Sequence, residues 1–172
     1  MELSDSIVTI FTDGACSHNP GPGGWAALLI LRGTVRFISG YERHTTNNRM
    51  ELFAAIAALK TLTRSTEADV HTDSKYLQDG ITRWIRGWIK NDWKTASKKP
   101  VLNQDLWIEL LRQAETHHVH WSWVQGHSTN KLNNFVDLLA RGAISRREGV
   151  DVRLSLSEFE DILDGRQVSW KT

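Results

Sequence analysis

Cysteine is almost absent: Cys16 is the only one in 172 residues. An intrachain disulfide framework is therefore excluded, and one thiol alone makes a poor metal site. Cys16 reads as a small apolar core residue. Proline and glycine are also sparse, at 3 and 12 residues, which excludes a fibrous or globally disordered chain. The longest unbroken apolar run, Leu52 to Leu59, covers 8 residues, whereas a membrane-spanning helix needs about 20. The start, Met1-Glu2-Leu3-Ser4-Asp5, lacks the basic and then apolar character of a secretory leader. The expectation is a cytoplasmic monomer that makes no contact with a membrane.

What is present is ordinary globular composition, 40% hydrophobic and 24% charged, in a length that suits one domain. Net charge is only +1, but it is unevenly spread. Between Arg83 and Lys99 stand six bases (Arg83, Arg86, Lys90, Lys94, Lys98, Lys99) and one acid, Asp92. Such an arm is suited to an anionic partner. Trp84, Trp88 and Trp93 are interleaved with these bases. Spaced at i and i+4, Trp84 and Trp88 share a helix face and suit packing on nucleic-acid sugars; the alternative is local core, the role expected of Trp93.

Ile7 to Thr12 is short, β-branched and aromatic, a buried strand that Asp13-Gly14 is expected to stop. Ser17 to Gly24 reads as a loop, and the runs 25–31 and 35–41 as a hairpin. Thr45-Thr46-Asn47-Asn48 supplies helix-capping residues ahead of an Ala/Leu-rich helix that carries Glu51. Ala68 to Thr72 is a second short strand, closed by Asp73-Ser74. A helix follows from Asn103 to Thr116, then a strand from His118 to Val124, a loop through His127, and a helix from Phe135 to Ile144. The fold class is α/β, a mixed sheet with helices on both faces. His117 alternates away from His118 and His120, so the three do not form a zinc site.

Four acids stand out. Asp13 and Asp73 follow strands, where α/β folds gather functional groups. Glu51 and Asp137 lie between apolar neighbours on helices and need a partner if ionised. Clustered carboxylates suit a hard cation such as Mg2+ or Mn2+; taken singly, each acid could instead cap an element or pair with a nearby base.

The motifs around these acids, Phe11-Thr12-Asp13-Gly14, Asn19-Pro20-Gly21-Pro22-Gly23-Gly24, Thr45-Thr46-Asn47-Asn48-Arg49-Met50-Glu51-Leu52, Thr72-Asp73-Ser74, Gly126-His127 and Asp137-Leu138-Leu139-Ala140, come in the order and spacing of type 1 ribonuclease H. The chain closely resembles the bacterial ribonuclease HI family from about Ile7 to Ala143. The resemblance implies a five-stranded mixed sheet, three antiparallel strands plus two parallel, and cleavage of the RNA strand of RNA–DNA hybrids. It places a catalytic domain at 1–145, including the basic protrusion at 83–99, and leaves 146–172 as a tail, expected to be mobile or loosely docked.

Carried over residue by residue, the family's metal-binding carboxylates fall on Asp13, Glu51, Asp73 and Asp137, holding two Mg2+ ions for which Mn2+ can substitute. The family's loop histidine falls on His127. Substrate-contact positions fall on Asn19, Asn47 and Asn48, and a DNA phosphate contact on Thr46 and Asn103. Without the family, Asn19 reads equally as a turn residue, and Asn47 and Asn48 as helix caps. Three positions depart from the family pattern. Asn134 replaces a common glutamate, Thr129 a loop glycine, and His44 an arginine for which neighbouring Arg43 could substitute.

Overall fold

Three strands joined by tight connections open the chain: β1 (Ile7–Cys16), β2 (Gly21–Leu31) and β3 (Thr34–Thr45). They pair antiparallel, as short connections dictate. The computed structural model describes residues 6–126 and 129–166. Helix α1 (Asn47–Lys60) follows, its alanines and leucines being strong helix formers, and Thr46 caps it by accepting from Arg49 N–H at 3.2 Å. β4 (Glu67–Thr72) then joins β1 in parallel, and β5 (His118–Trp123) joins β4 in parallel.

Between β4 and β5 run α2 (Lys75–Asp79), a π-helical turn at Gly80–Trp84, α3 (Ile85–Lys90) and α4 (Gln104–Thr116). After β5 come α5 (Lys131–Arg146), β6 (Asp151–Ser155) and α6 (Leu156–Leu163). The sheet order is β5-β4-β1-β2-β3-β6.

The sheet therefore has six strands, which corrects the expected five. β6 adds antiparallel to β3, out of the segment expected to be tail. Its sequence signal is faint because only Val152 and Leu154 alternate as apolar residues. Pairing holds them in place: Arg36 grips Asp151 bidentately at 3.0 and 2.9 Å, and α6 is fixed by a Ser155–Glu158 capping box.

Alternating residues of the central strands feed two cores, one on each face of the sheet. Val8, Ile10, Ala27 and Leu29 pack with Leu52, Leu59, Leu77 and Trp107. Phe11, Ala26 and Leu28 pack with Phe37, Phe135, Leu139 and Phe159. Burial on both faces explains why β2 reads as a continuous apolar run. No described helix is long and apolar enough to cross a membrane.

Candidate active site

The parallel pairing of β1 and β4 ends at Thr12 opposite Thr72, so the next residue of each strand, Asp13 and Asp73, emerges at the same edge. β1 itself continues, paired with β2 as far as Cys16 opposite Gly23. Asp13 therefore lies inside a strand, not at its end as expected. The strand persists because its antiparallel neighbour still supplies hydrogen bonds after its parallel neighbour has turned away.

Glu51 reaches this point from α1 because β1 and α1 nearly touch. A β-carbon on Gly14 would lie 2.4 Å from the Glu51 backbone nitrogen, closer than any side chain permits, so the approach requires glycine. Asp137 arrives from α5 by a similar device. A β-carbon on Gly24 of β2 would lie 2.2 Å from the Ala140 carbonyl oxygen.

Asp13, Glu51 and Asp73 each place a carboxylate oxygen within 4.8 Å of the others. Asp137 stands outside that trio but lines the same cleft of about 330 Å3, together with Asn47, Asn48 and Ser74. Asp13 and Glu51 are buried. Burial foremost, then the charges of Glu51, Asp73 and Asp137, push the Asp13 carboxyl far above the usual carboxylate range. Glu51 is also raised, by burial and then by Asp73. One oxygen of Glu51, Oε2, is buried with no hydrogen-bond partner. Negative charge gathered out of water with an acceptor left open is a donor set that a hard divalent cation satisfies.

The RNase H family model matches residues 5–145. The chain belongs to the ribonuclease H family. It is 52% identical to the Ribonuclease H of Granulibacter bethesdensis over 149 residues, 87% of this chain and 98% of that protein. To the Ribonuclease H of Mesorhizobium japonicum it is 57% identical over 134 residues, 78% of this chain and 76% of that protein. Among solved structures, LC9-RNase H1, a type 1 RNase H with the type 2 active-site motif, superposes with a TM-score of 0.81 at 28% identity, covering 98% of this chain and 88% of that one. LC11-RNase H1 in complex with RNA/DNA hybrid shares the fold, with a TM-score of 0.59 at 22% identity over 81% of this chain and 98% of that one.

In this ribonuclease H the remaining sequence-predicted residues fall as follows. His127 lies outside the described residues. Thr46, not Asn47 or Asn48, caps α1, which leaves both asparagine side chains exposed at the cleft. The Asn19 side-chain oxygen accepts from Asn47 N–H at 3.3 Å, joining the β1–β2 turn to α1. Asn103 stands at the N-terminal boundary of α4 with a left-handed backbone, φ 60°, and its side chain makes no capping hydrogen bond; the Trp84 ring is exposed. Trp88 is half-buried against Trp107, ring centres 5.2 Å apart, and Trp93 packs behind it at 6.2 Å.

Several residues without an assigned role also enter the site. Arg141 donates to Asp137 at 2.6 Å; the i, i+4 spacing on one helix was readable. The Trp123 indole donates to the Asp73 carbonyl at 3.0 Å and carries the Lys75 ammonium 4.0 Å above its ring. Arg49 forms a bidentate pair with Asp105 at 2.9 and 2.8 Å, tying α1 to α4. That hydrogen-bonded guanidinium holds the Asp105 carboxyl below the usual range. Nothing in one sequence signals a pair 56 residues apart.

Proposed function

We propose that this protein is an endonuclease that cleaves the RNA strand of RNA–DNA hybrids by water attack on the phosphodiester, leaving 5′-phosphate and 3′-hydroxyl ends. The observation that carries this reading is the carboxylate trio of Asp13, Glu51 and Asp73, drawn from three separate elements, with Asp137 in the same cleft. The hybrid bound by LC11-RNase H1 supports the substrate assignment.

Asp13, Glu51, Asp73 and Asp137 are the residues that would hold two Mg2+ ions. When bound, such ions supply charge that orients an attacking water and stabilises the leaving 3′ oxygen. The acids would neutralise the mutual repulsion of two such cations. As water's oxygen bonds to phosphorus the water gives up a proton, the P–O3′ bond breaks and the departing oxygen takes up a proton, so that none is gained or lost overall; His127 is the carrier nearest to neutrality by type.

Asn19, Asn47 and Asn48 would read the RNA strand, since a carboxamide both donates to and accepts from a 2′-hydroxyl. Thr46 and Asn103 would hold a phosphate of the DNA strand, and Trp84 with Trp88 would pack on its sugars. The bases of the arm would track its backbone as a source of affinity. The working unit is a cytoplasmic monomer.

The test is a substrate panel: labelled hybrid, duplex DNA, duplex RNA and each single strand, incubated with Mg2+. Cleavage confined to the RNA of the hybrid, with products that kinase cannot phosphorylate until phosphatase removes the 5′ group, is the expected result. Equal cleavage of duplex RNA, or products with 3′-phosphate ends, would overturn the reading.

A further inference from the structure

Among the described strands β5 lies at one edge of the sheet, paired with β4 alone, and its side chains alternate between the two faces. Val119 and Trp121 pack on the core that contains Trp107. His118 and His120 take the opposite face, where both are exposed. The parallel register sets Glu67 of β4 opposite His118, and Asp69 opposite His120. His117 stands apart from them: it precedes the strand, is buried, and its Nδ1 accepts from Thr66 N–H at 3.2 Å. Further along the same face His71 stacks on Phe11, ring centres 4.6 Å apart.

His120 Nε2 lies 3.3 Å from Glu67 Oε1. That is long for a hydrogen bond between such atoms, whose usual separation is about 2.9–3.0 Å. It is close to the spacing of two ligands on one tetrahedral zinc: bonds of about 2.0–2.1 Å to nitrogen and 2.0–2.2 Å to oxygen, set at the tetrahedral angle, leave the two atoms about 3.4 Å apart. Glu67 also faces His118 directly, across a strand spacing of about 4.8 Å. We infer that His118, His120 and Glu67 form a second cation site, which takes a divalent transition ion such as Zn2+. Imidazole nitrogens favour such an ion, whereas the all-oxygen set around Asp13 suits Mg2+. Glu67, His118 and His120 are all exposed, so the ion enters from solvent and His118 closes the set by turning its ring. Asp69, opposite His120, adds negative charge beside it, and water completes the coordination. A bound ion staples the edge strand to β4, at the root of the segments that run on to Gly126 and Asp73.

The experiment titrates the protein with Zn2+ by calorimetry in excess Mg2+, for the parent, His118→Ala, His120→Ala and Glu67→Gln. The parent is expected to bind one Zn2+ at this site. Each replacement should weaken that binding by at least about ten-fold, since even the outer partners of a metal's ligands are worth that much. All three side chains are on the surface, so the variants should fold as the parent does, which thermal melts in chelator check.

Zn2+ binding that survives all three replacements places the ion elsewhere, on the acids around Asp13 for example, and overturns the inference. A parent that binds no Zn2+ overturns it as well. Loss with either histidine but none with Glu67→Gln marks an adventitious histidine pair, and the three-ligand site then falls. A second measurement needs no variant. In histidine ring NMR spectra of the parent, Zn2+ should shift the ring nitrogens of His118 and His120 and leave those of His71, held against Phe11, unshifted; a Zn2+-saturated protein with the His118 and His120 rings unshifted contradicts the site.

Discussion

Arg141 holds Asp137 through a 2.6 Å hydrogen bond one helical turn away on α5, whereas no described cation stands beside the buried carboxyls of Asp13 and Glu51. The four acids therefore start from different electrostatic positions. A cation approaching Asp137 must compete with a guanidinium already in place, and one approaching the trio meets only repulsion to relieve. Arg141→Gln should tighten Mg2+ binding by roughly two- to five-fold, the range expected of a part-exposed ion pair. Isothermal calorimetry on the protein alone checks this, and unchanged or weaker binding would contradict it.

The raised carboxyl of Asp13 fixes a pH dependence. Its folded-state pKa lies above the unfolded value, so the folded protein holds this proton more tightly. Stability is favoured in acid and is lost as pH rises through the unfolded carboxylate value near about 4 and beyond. Asp13→Asn removes the ionisation. In chelator at pH 7 the variant should be more stable than the parent by at least about 1 kcal/mol, a rise of roughly 2–4 °C for a chain of this size. The advantage should vanish by about pH 3.5, below the unfolded value. A variant that melts lower than the parent at pH 7 would refute the repulsion account.

Much of this was legible because strong local signals coincide with the fold. β1, α1 and β4 show β-branched or Ala/Leu-rich runs with polar stops, and the acids follow from motif order. The sixth strand was not legible, because two alternating apolar residues in Asp151–Ser155 become a strand only when β3 offers an edge. The extension of β1 past Asp13 was hidden for the same reason: Gly14 signals a stop locally, while β2 keeps the strand paired. The hydrogen bonds that Asn103 and Trp107 donate to the Tyr76 hydroxyl join residues up to 31 positions apart, and only the packing of α2 against α4 brings them together.

Lys94, Lys98 and Lys99 are exposed and make no ion pair among the described residues, whereas Arg83 is paired with Asp79. Replacing the three lysines with alanine should flatten the slope of log affinity against log salt by up to about 0.9 for each phosphate that a lysine neutralises, with little change in turnover at saturating hybrid. Trp84→Ala should cost about 1–3 kcal/mol of binding and leave the slope nearly unchanged. Fluorescence titrations at several salt concentrations read both. Equal slopes for the parent and the triple variant would show that the arm does not touch phosphate.

His127→Ala should lower turnover more than hybrid affinity, since its proposed work is proton transfer at the leaving oxygen. Steady-state kinetics separate the two effects. Unchanged turnover with a large rise in KM would reassign the residue to binding.

The central claim is that cleavage depends on a cation held by the acids around Asp13. The most direct measurement is the initial rate of hybrid cleavage against Mg2+ concentration, for the parent and for Asp13→Asn, with a chelator control. The parent's rate should rise from zero in chelator to a plateau, while the variant, folded and still able to bind hybrid, should stay near zero at every concentration. Cleavage by the parent in chelator, or a near-normal curve for Asp13→Asn, would contradict the account.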